Sequence, residues 1–157
     1  MKINTISSED FGDIIRLLSD GNLPSDDIGA PNKTFFGTWE DGELVGCIGI
    51  ERYGQSGLLR SMVVAEPFRG QNRAMAMYNH LVDHCIEQGM THLYLLTQTA
   101  NGFFEKLGWD MIARDGVPDA VKSSAEFAHL CPASAVCMHF PLMAAQSQKL
   151  FDSGFNC

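Results

Sequence analysis

Between Met62 and Met75 the chain passes from the apolar run Met62-Val63-Val64-Ala65, through Glu66-Pro67-Phe68, into Arg69-Gly70-Gln71-Asn72-Arg73-Ala74-Met75. The pattern reads as a strand entering a long helix through a short polar loop. The first turn of a helix leaves several backbone N–H groups without partners, and its dipole favours negative charge. Such a junction is therefore a phosphate cradle by construction. Gly70 permits close approach of the backbone, and Arg69 and Arg73 add positive charge to an acidic chain. The same residues equally describe an ordinary strand-to-helix turn carrying two solvated arginines.

Arg60 lies inside an apolar run, Leu58 to Ala65. A buried charge is costly unless paired, so Arg60 either meets an acidic neighbour or faces a cleft as a clamp for a carboxylate. His80 and His84 are four apart on a predicted helix, and Cys131, Cys137, His129 and His139 cluster near the last apolar run. Residues two apart on a strand share a face, so Cys137 and His139 can converge. No Glu-adjacent or Cys-pair spacing accompanies these groups, which leaves metal or metalloid binding as the lesser reading.

The elements that must position these residues follow from periodicity. A short strand over 2–5 precedes a helix carrying Phe11, Ile14, Ile15, Leu17 and Leu18, with Ser7 or Ser8 as its cap and Gly21 as its stop. Residues 22–33 read as loop. Strands follow at Thr34–Glu40, Leu44–Arg52 and Leu58–Ala65, the first two joined by the hairpin signal Asp41-Gly42. A helix is predicted over Asn72–Gln88, ending at Gly89, then a doubly buried strand over His92–Leu96. A helix over Ala100–Leu107, a strand over Trp109–Ala113, a helix opened by Pro118 and a strand over Ser134–Pro141 complete the order. The expectation is a mixed α/β domain over residues 1–141, a meander feeding a βαβ unit, with 142–157 as a C-terminal tail that is loosely held or interfacial.

Composition sets the class. The chain has 157 residues, 45% of them hydrophobic and 19% charged, which is length and apolar content enough for a real core. Eleven basic residues against nineteen acidic ones leave a net charge of −8, which disfavours nucleic acid and anionic membrane as partners. No stretch approaches the ~18 apolar residues of a membrane span. The first residues lack the apolar core of a signal peptide. Five cysteines without tight spacing suit reduced thiols, and a cytoplasmic location is expected.

The loop Arg69-Gly70-Gln71-Asn72-Arg73-Ala74 resembles the acetyl-CoA motif Arg/Gln-x-x-Gly-x-Gly/Ala of the GNAT N-acetyltransferase family, and Phe103-Phe104-Glu105-Lys106-Leu107-Gly108-Trp109 resembles that family's second element. The similarity runs from the first strand to about Pro141. Residues 93–97 and 130–138 are most similar to the small arsenic-resistance-type acetyltransferases, and more distantly to the acetyltransferase domain of N-acetylglutamate synthases. The resemblance implies a GNAT-type fold, a mainly antiparallel central sheet with flanking helices. It also implies acetyl-CoA as co-substrate, without a metal, and direct transfer to the amine of a small, amino-acid-like, glutamate-like acceptor. Family members often form homodimers, and Phe151 and Phe155 on the tail suit such an interface. Two residues depart from the pattern: Asn72 replaces a Gly, and Phe104 replaces the Tyr that protonates departing CoA in many members.

Carried onto this chain, the resemblance assigns CoA contacts to Met62, Val63, Val64, Arg69, Gly70, Gln71, Asn72, Arg73, Ala74, Met75, Thr97 and Phe104. Backbone N–H groups of Met62 to Val64 polarise the thioester carbonyl. Glu51 is the candidate base for the acceptor ammonium, with a salt-bridged strand-end Glu as the alternative. Arg60 and Gln98 are the candidate acceptor contacts. Ser134 and Cys131 are candidate acids, since a thiol of pKa near ~8.5 matches a CoA thiolate. Asn72 and Phe104 also fit a non-catalytic CoA-binding sensor, and Cys131 with Cys137 a thiol-based metalloid binder.

Overall fold

The computed structural model describes residues 2–25, 27–130 and 132–142; Cys131 and the expected tail from Met143 lie outside them. Seven strands form one sheet in the order β1-β2-β3-β4-β5-β7-β6. They are β1 (Ile3–Thr5), β2 (Lys33–Glu40), β3 (Glu43–Tyr53), β4 (Ser56–Val64), β5 (His92–Thr97), β6 (Asp110–Met111) and β7 (Val136–Pro141). The helices are α1 (Phe11–Asp20), α2 (Arg73–Glu87), α3 (Asn101–Lys106) and α4 (Asp119–Lys122). Each described pairing is antiparallel except β4 with β5, which is parallel as a strand–helix–strand unit requires. This is the mixed, mainly antiparallel α/β fold expected. The described residues group into two compact units, one within 2–52 and 59–83, the other within 53–58 and 84–142.

In the first unit the Asp41-Gly42 signal makes the β2–β3 hairpin. Both residues are left-handed, at φ 49° and 80°, the twist a two-residue turn needs. Alternation then divides the sheet between two helices. Phe35, Leu44 and Cys47 pack with Ile14, Leu17 and Leu18 of α1, while Phe36 meets His80 of α2 edge-on at 4.8 Å. Gly46 lets α2 approach, since a Cβ there would stand 3.2 Å from Met77 Cε and 3.0 Å from Thr38 Cγ2. The α1 entry departs from expectation. Neither serine caps it by side chain; a 3-10 turn, Ser8–Asp10, leads in, with Asp10 N–H donating to the Ser7 carbonyl at 3.0 Å. Such a tight turn satisfies the first donors without a cap. At its far end α2 stops at Gly89, φ 78°, where Met90 N–H reaches back to the Cys85 carbonyl.

In the second unit Leu58, Tyr94, Val117, Val121 and Cys137 form the core. Strand β7 pairs with β5 over six residues and with β6 over two. Two strands are shorter here than expected. The strand over 109–113 is only Asp110–Met111, because Trp109 turns inward on Phe104 and a 3-10 turn begins at Arg114. The helix after Pro118 has four residues. Ser134 lies outside β7, in a turn closed by Ala135 N–H on the Pro132 carbonyl at 3.0 Å. A π-helical turn over Glu126–Leu130 was not expected.

Gly46→Val should push Met77 and α2 away from β3 at a cost of about 1–3 kcal/mol, read as a lower urea midpoint with the m-value unchanged. A wild-type midpoint would mean that α2 does not depend on this close approach.

Candidate active site

The strand-to-helix junction lies wholly in the first unit. After β4 a 3-10 turn, Glu66–Phe68, leads to Arg69 and then to two left-handed residues, Gly70 at φ 79° and Asn72 at φ 62°, before α2 begins at Arg73. Asn is among the few non-glycine residues enriched in that region, so the substitution of Gly by Asn leaves the loop its conformation. Gln71 and Asn72 are exposed, Ala74 and Met75 half-buried, and the α2 N-terminus carries no acidic residue in its first turn. An exposed helix N-terminus free of acidic side chains fits a phosphate-bearing co-substrate.

The two arginines divide. Arg69 is exposed and donates through Nε to the Val64 carbonyl at 2.9 Å, which ties the loop to the end of β4. Arg73 is buried and turned inward. It donates to Thr38 Oγ1 at 3.0 Å, Glu40 Oε2 at 2.5 Å and Gln71 Oε1 at 3.3 Å, with its guanidinium 5.3 Å from the Phe68 ring centroid. It fastens the start of α2 to β2. Beside Arg69 lies a cavity of about 270 Å³ lined by Leu17, Asp20, Gly21, Val63, Val64, Ala65, Glu66 and Pro67 as well.

Beneath β4, Arg60 meets the acidic partners that its burial demands. Its Nη1 donates to Glu51 Oε2 at 2.7 Å and to Asp27 Oδ2 at 2.6 Å, and Lys33 Nζ stands 3.8 Å from each carboxylate. Glu51 is fully buried in this network, the salt-bridged arrangement of the two that its position allowed. Burial alone would raise the Asp27 carboxyl, but the Arg60 hydrogen bond and the charges of Arg60 and Lys33 hold it below its ordinary value. Arg60 Nε donates to Ser61 Oγ at 2.9 Å. Ser61, at φ 59°, is left-handed inside a strand, a conformation that costs a non-glycine residue on the order of 1–3 kcal/mol. The Cys47 thiol, pushed up to about 12 by burial against the opposing charge of Arg60, contacts the Ser61 carbonyl at 3.3 Å. Neither Ser61 nor Asp27 stood out in the sequence. A lone serine beside an arginine in an apolar run was the available signal for the first; the second emerges only when its loop folds onto β3 and β4.

The second unit holds the other assigned residues. Thr97 Oγ1 accepts the Ala100 N–H at 2.9 Å, a turn contact that starts α3, and Gln98 is exposed beside it. Phe104 is buried, edge-on to Phe103 at 5.2 Å and Trp109 at 5.3 Å, and Trp109 stacks on Phe140. Burial raises the Cys137 thiol, partly offset by Arg114, and burial with the neighbouring Cys137 raises Tyr94. His139 stacks on His92, their Nε2 and Nδ1 2.9 Å apart. Burial and His92 lower the His139 pKa, with Asp110 opposing. Among the described residues no group of three His, Cys, Asp or Glu side chains is placed to hold a metal ion.

Asp27→Asn should lower Tm at neutral pH by roughly 3–8 °C, since it removes one charge-assisted bond. The Asp27 carboxyl is depressed on folding, so its contribution is complete above the unfolded value of 3.8 and is lost as pH falls through the folded pKa. The Tm gap between the two proteins therefore closes in acid; a gap constant with pH would refute the ionic origin.

Residues 4–109 match the model of the acetyltransferase (GNAT) family. No curated protein sequence matches the chain significantly. Among solved structures, N-acetylglutamate synthase from Neisseria gonorrhoeae, complexed with coenzyme A and N-acetyl-glutamate, is similar at TM-score 0.71 and 14% identity over 90% of this chain. This chain spans about a third of that protein's length, 35%. Rv2747 from Mycobacterium tuberculosis, solved in complex with CoA, is similar at TM-score 0.75 and 18% identity, covering 90% of this chain and 99% of that one. The ribosomal-protein-S18-alanine N-acetyltransferase from Escherichia coli is similar at TM-score 0.70 and 15% identity, covering 90% and 93%. These likenesses are of fold. The family match covers well over half of the sequence and includes both the phosphate-type loop and α3: the chain belongs to the acetyltransferase (GNAT) family.

Proposed function

We propose that this protein is an acetyl-CoA-dependent N-acetyltransferase that acetylates the amine of a small, amino-acid-like acceptor by direct transfer. The observation that carries the reading is the loop before α2, whose residues Gly70 and Asn72 are both left-handed at a helix N-terminus that presents no acidic side chain. Main-chain N–H groups there, with Arg69, would hold the phosphates of the co-substrate. Bound acetyl-CoA supplies the activated acyl group. What the chain supplies is orientation and a polarising environment, for which the backbone of Met62–Val64 is the proposed donor.

The cavity beside Arg69 supports the acceptor class. Asp20 and Glu66 offer carboxylates to the ammonium of an acceptor, beside the Arg69 assigned to the co-substrate phosphates. The structure of N-acetylglutamate synthase with N-acetyl-glutamate points to the same class. Arg60 and Glu51 act in this reading as scaffold rather than as clamp and base, because Arg60 is held by Glu51 and Asp27, and Glu51 by Arg60 and Lys33. Ser134, exposed in its turn, and Cys131 are the proposed acids. A second reading, a CoA-binding sensor without turnover, is favoured by one observation: Phe104 is buried among aromatic rings and has no proton to give.

Thiol release from acetyl-CoA against a panel of amino acids, glutamate mimics, polyamines and a peptide tests the reading, with calorimetric CoA binding alongside. Release with an amino-acid amine is expected; CoA binding without release from any acceptor would establish the sensor. Arg69→Ala should raise the KM for acetyl-CoA roughly tenfold, the loss of about one charged phosphate contact. A rise confined to the acceptor KM would instead place Arg69 in the acceptor cavity. Asn72→Gly should bind CoA at least as tightly as the wild type, because glycine takes the positive φ at no steric cost; weaker binding would show that the Asn side chain itself contacts the ligand.

A further inference from the structure

We infer that Arg60 and Cys47 are positioning residues that hold Ser61 in its left-handed conformation and so set the direction of the Met62–Val64 backbone. The inference deepens the proposed function and rests on it for the role of those three amides.

Ser61 interrupts a nine-residue strand whose neighbours are extended, and nothing in its own side chain favours φ 59°. Two contacts hold it there. Arg60 Nε donates to its Oγ, and the Cys47 thiol reaches its carbonyl, so both ends of the residue are fixed from buried groups. The arrangement is unusual for its economy of motion. An exposed arginine would be free to rotate, but here Nη1 is gripped by Glu51 and Asp27 at 2.7 and 2.6 Å, which restricts how the guanidinium that carries Nε can turn. The guanidinium is further covered by the Phe35 ring, 6.0 Å from its centroid. A left-handed residue inside a strand re-aims the groups that follow it. Here those groups are the amides of Met62 to Val64, immediately ahead of the Arg69 tie to the Val64 carbonyl. The network thus fixes the entry of the segment and Arg69 its exit.

The test uses the intact protein and small substitutions. Ser61→Ala removes the hydroxyl but keeps the unfavourable φ, whereas Ser61→Gly removes the need for any lock. Arg60→Lys keeps a cation for Glu51 and Asp27 but lacks the Nε–H. Ser61→Ala and Arg60→Lys should each lower kcat roughly tenfold with the acetyl-CoA KM within about twofold, as expected of a misaimed donor and an undisturbed phosphate loop. Ser61→Gly should stay within about threefold of wild-type kcat, and Arg60→Lys combined with Ser61→Gly should be no worse than Ser61→Gly alone. Wild-type kcat in Ser61→Ala, or additive losses in the double variant, would overturn the inference. Amide hydrogen exchange at Met62–Val64 reads it independently of turnover. Faster exchange in Ser61→Ala that returns toward wild type in Ser61→Gly supports the lock even if no acceptor is acetylated, an outcome that would defeat only the proposed function. Identical exchange in all three proteins would overturn the lock.

Discussion

Dehydrating a guanidinium is among the more expensive things a folding chain can do, and Arg60 is almost completely buried in the middle of β4. The cost is offset only if its charge and donors are met at short range, and the two carboxylates that meet them, with the lysine that shares those carboxylates, come from three separate stretches of chain. Glu51 arrives from the end of β3, Asp27 from the loop after α1 and Lys33 from the start of β2. An unmatched charge in this cluster would leave the others buried and unpaired, a loss usually larger than the net worth of the pairs themselves. The loop between α1 and β2, already anchored by Ile28 in the core, is thereby tied to the sheet through its charge as well, and the irregular backbone at Ser61 has a rigid body to lean on.

The same economy separates the two arginines of the phosphate-type loop. An arginine at the first position of a helix opposes the positive end of the dipole, which is unfavourable without compensation. Arg73 finds it in Glu40 and Thr38, and its buried side chain becomes the fastening between α2 and β2. Arg69 remains exposed, with its Nε on the Val64 carbonyl. Of two residues alike in type and four apart in sequence, one is a buried fastening and the other stands exposed on the loop.

In the second unit the chemistry is set by burial rather than by ion pairs. Phe104 completes an aromatic cluster with Phe103 and Trp109, a good packing solution and a poor source of protons. Cys137 and Tyr94 are kept protonated by their low-dielectric surroundings.

Much of this molecule was legible in its residues taken in order. Local pattern determined the elements, because periodicity, Asp41-Gly42, Gly89 and the strand-to-helix junction act over a few residues and need no distant partner. The family followed from two short motifs for the same reason. Where an element was cut short, as at Trp109 and Ser134, an inward aromatic or a turn-closing proline carbonyl outweighed strand propensity. The roles of the charged residues were another matter. Whether Arg60 is a clamp or a pillar, whether Glu51 is a free base or half of a pair, and which loop arginine faces solvent are questions of which opposite charges lie within hydrogen-bond reach. Asp27 is 33 residues from Arg60 in sequence and 2.6 Å away in space. The sequence alone determined which groups are present and which elements carry them; only the tertiary structure decided their partners, because electrostatic pairing depends on distance through space and on the water that folding removes.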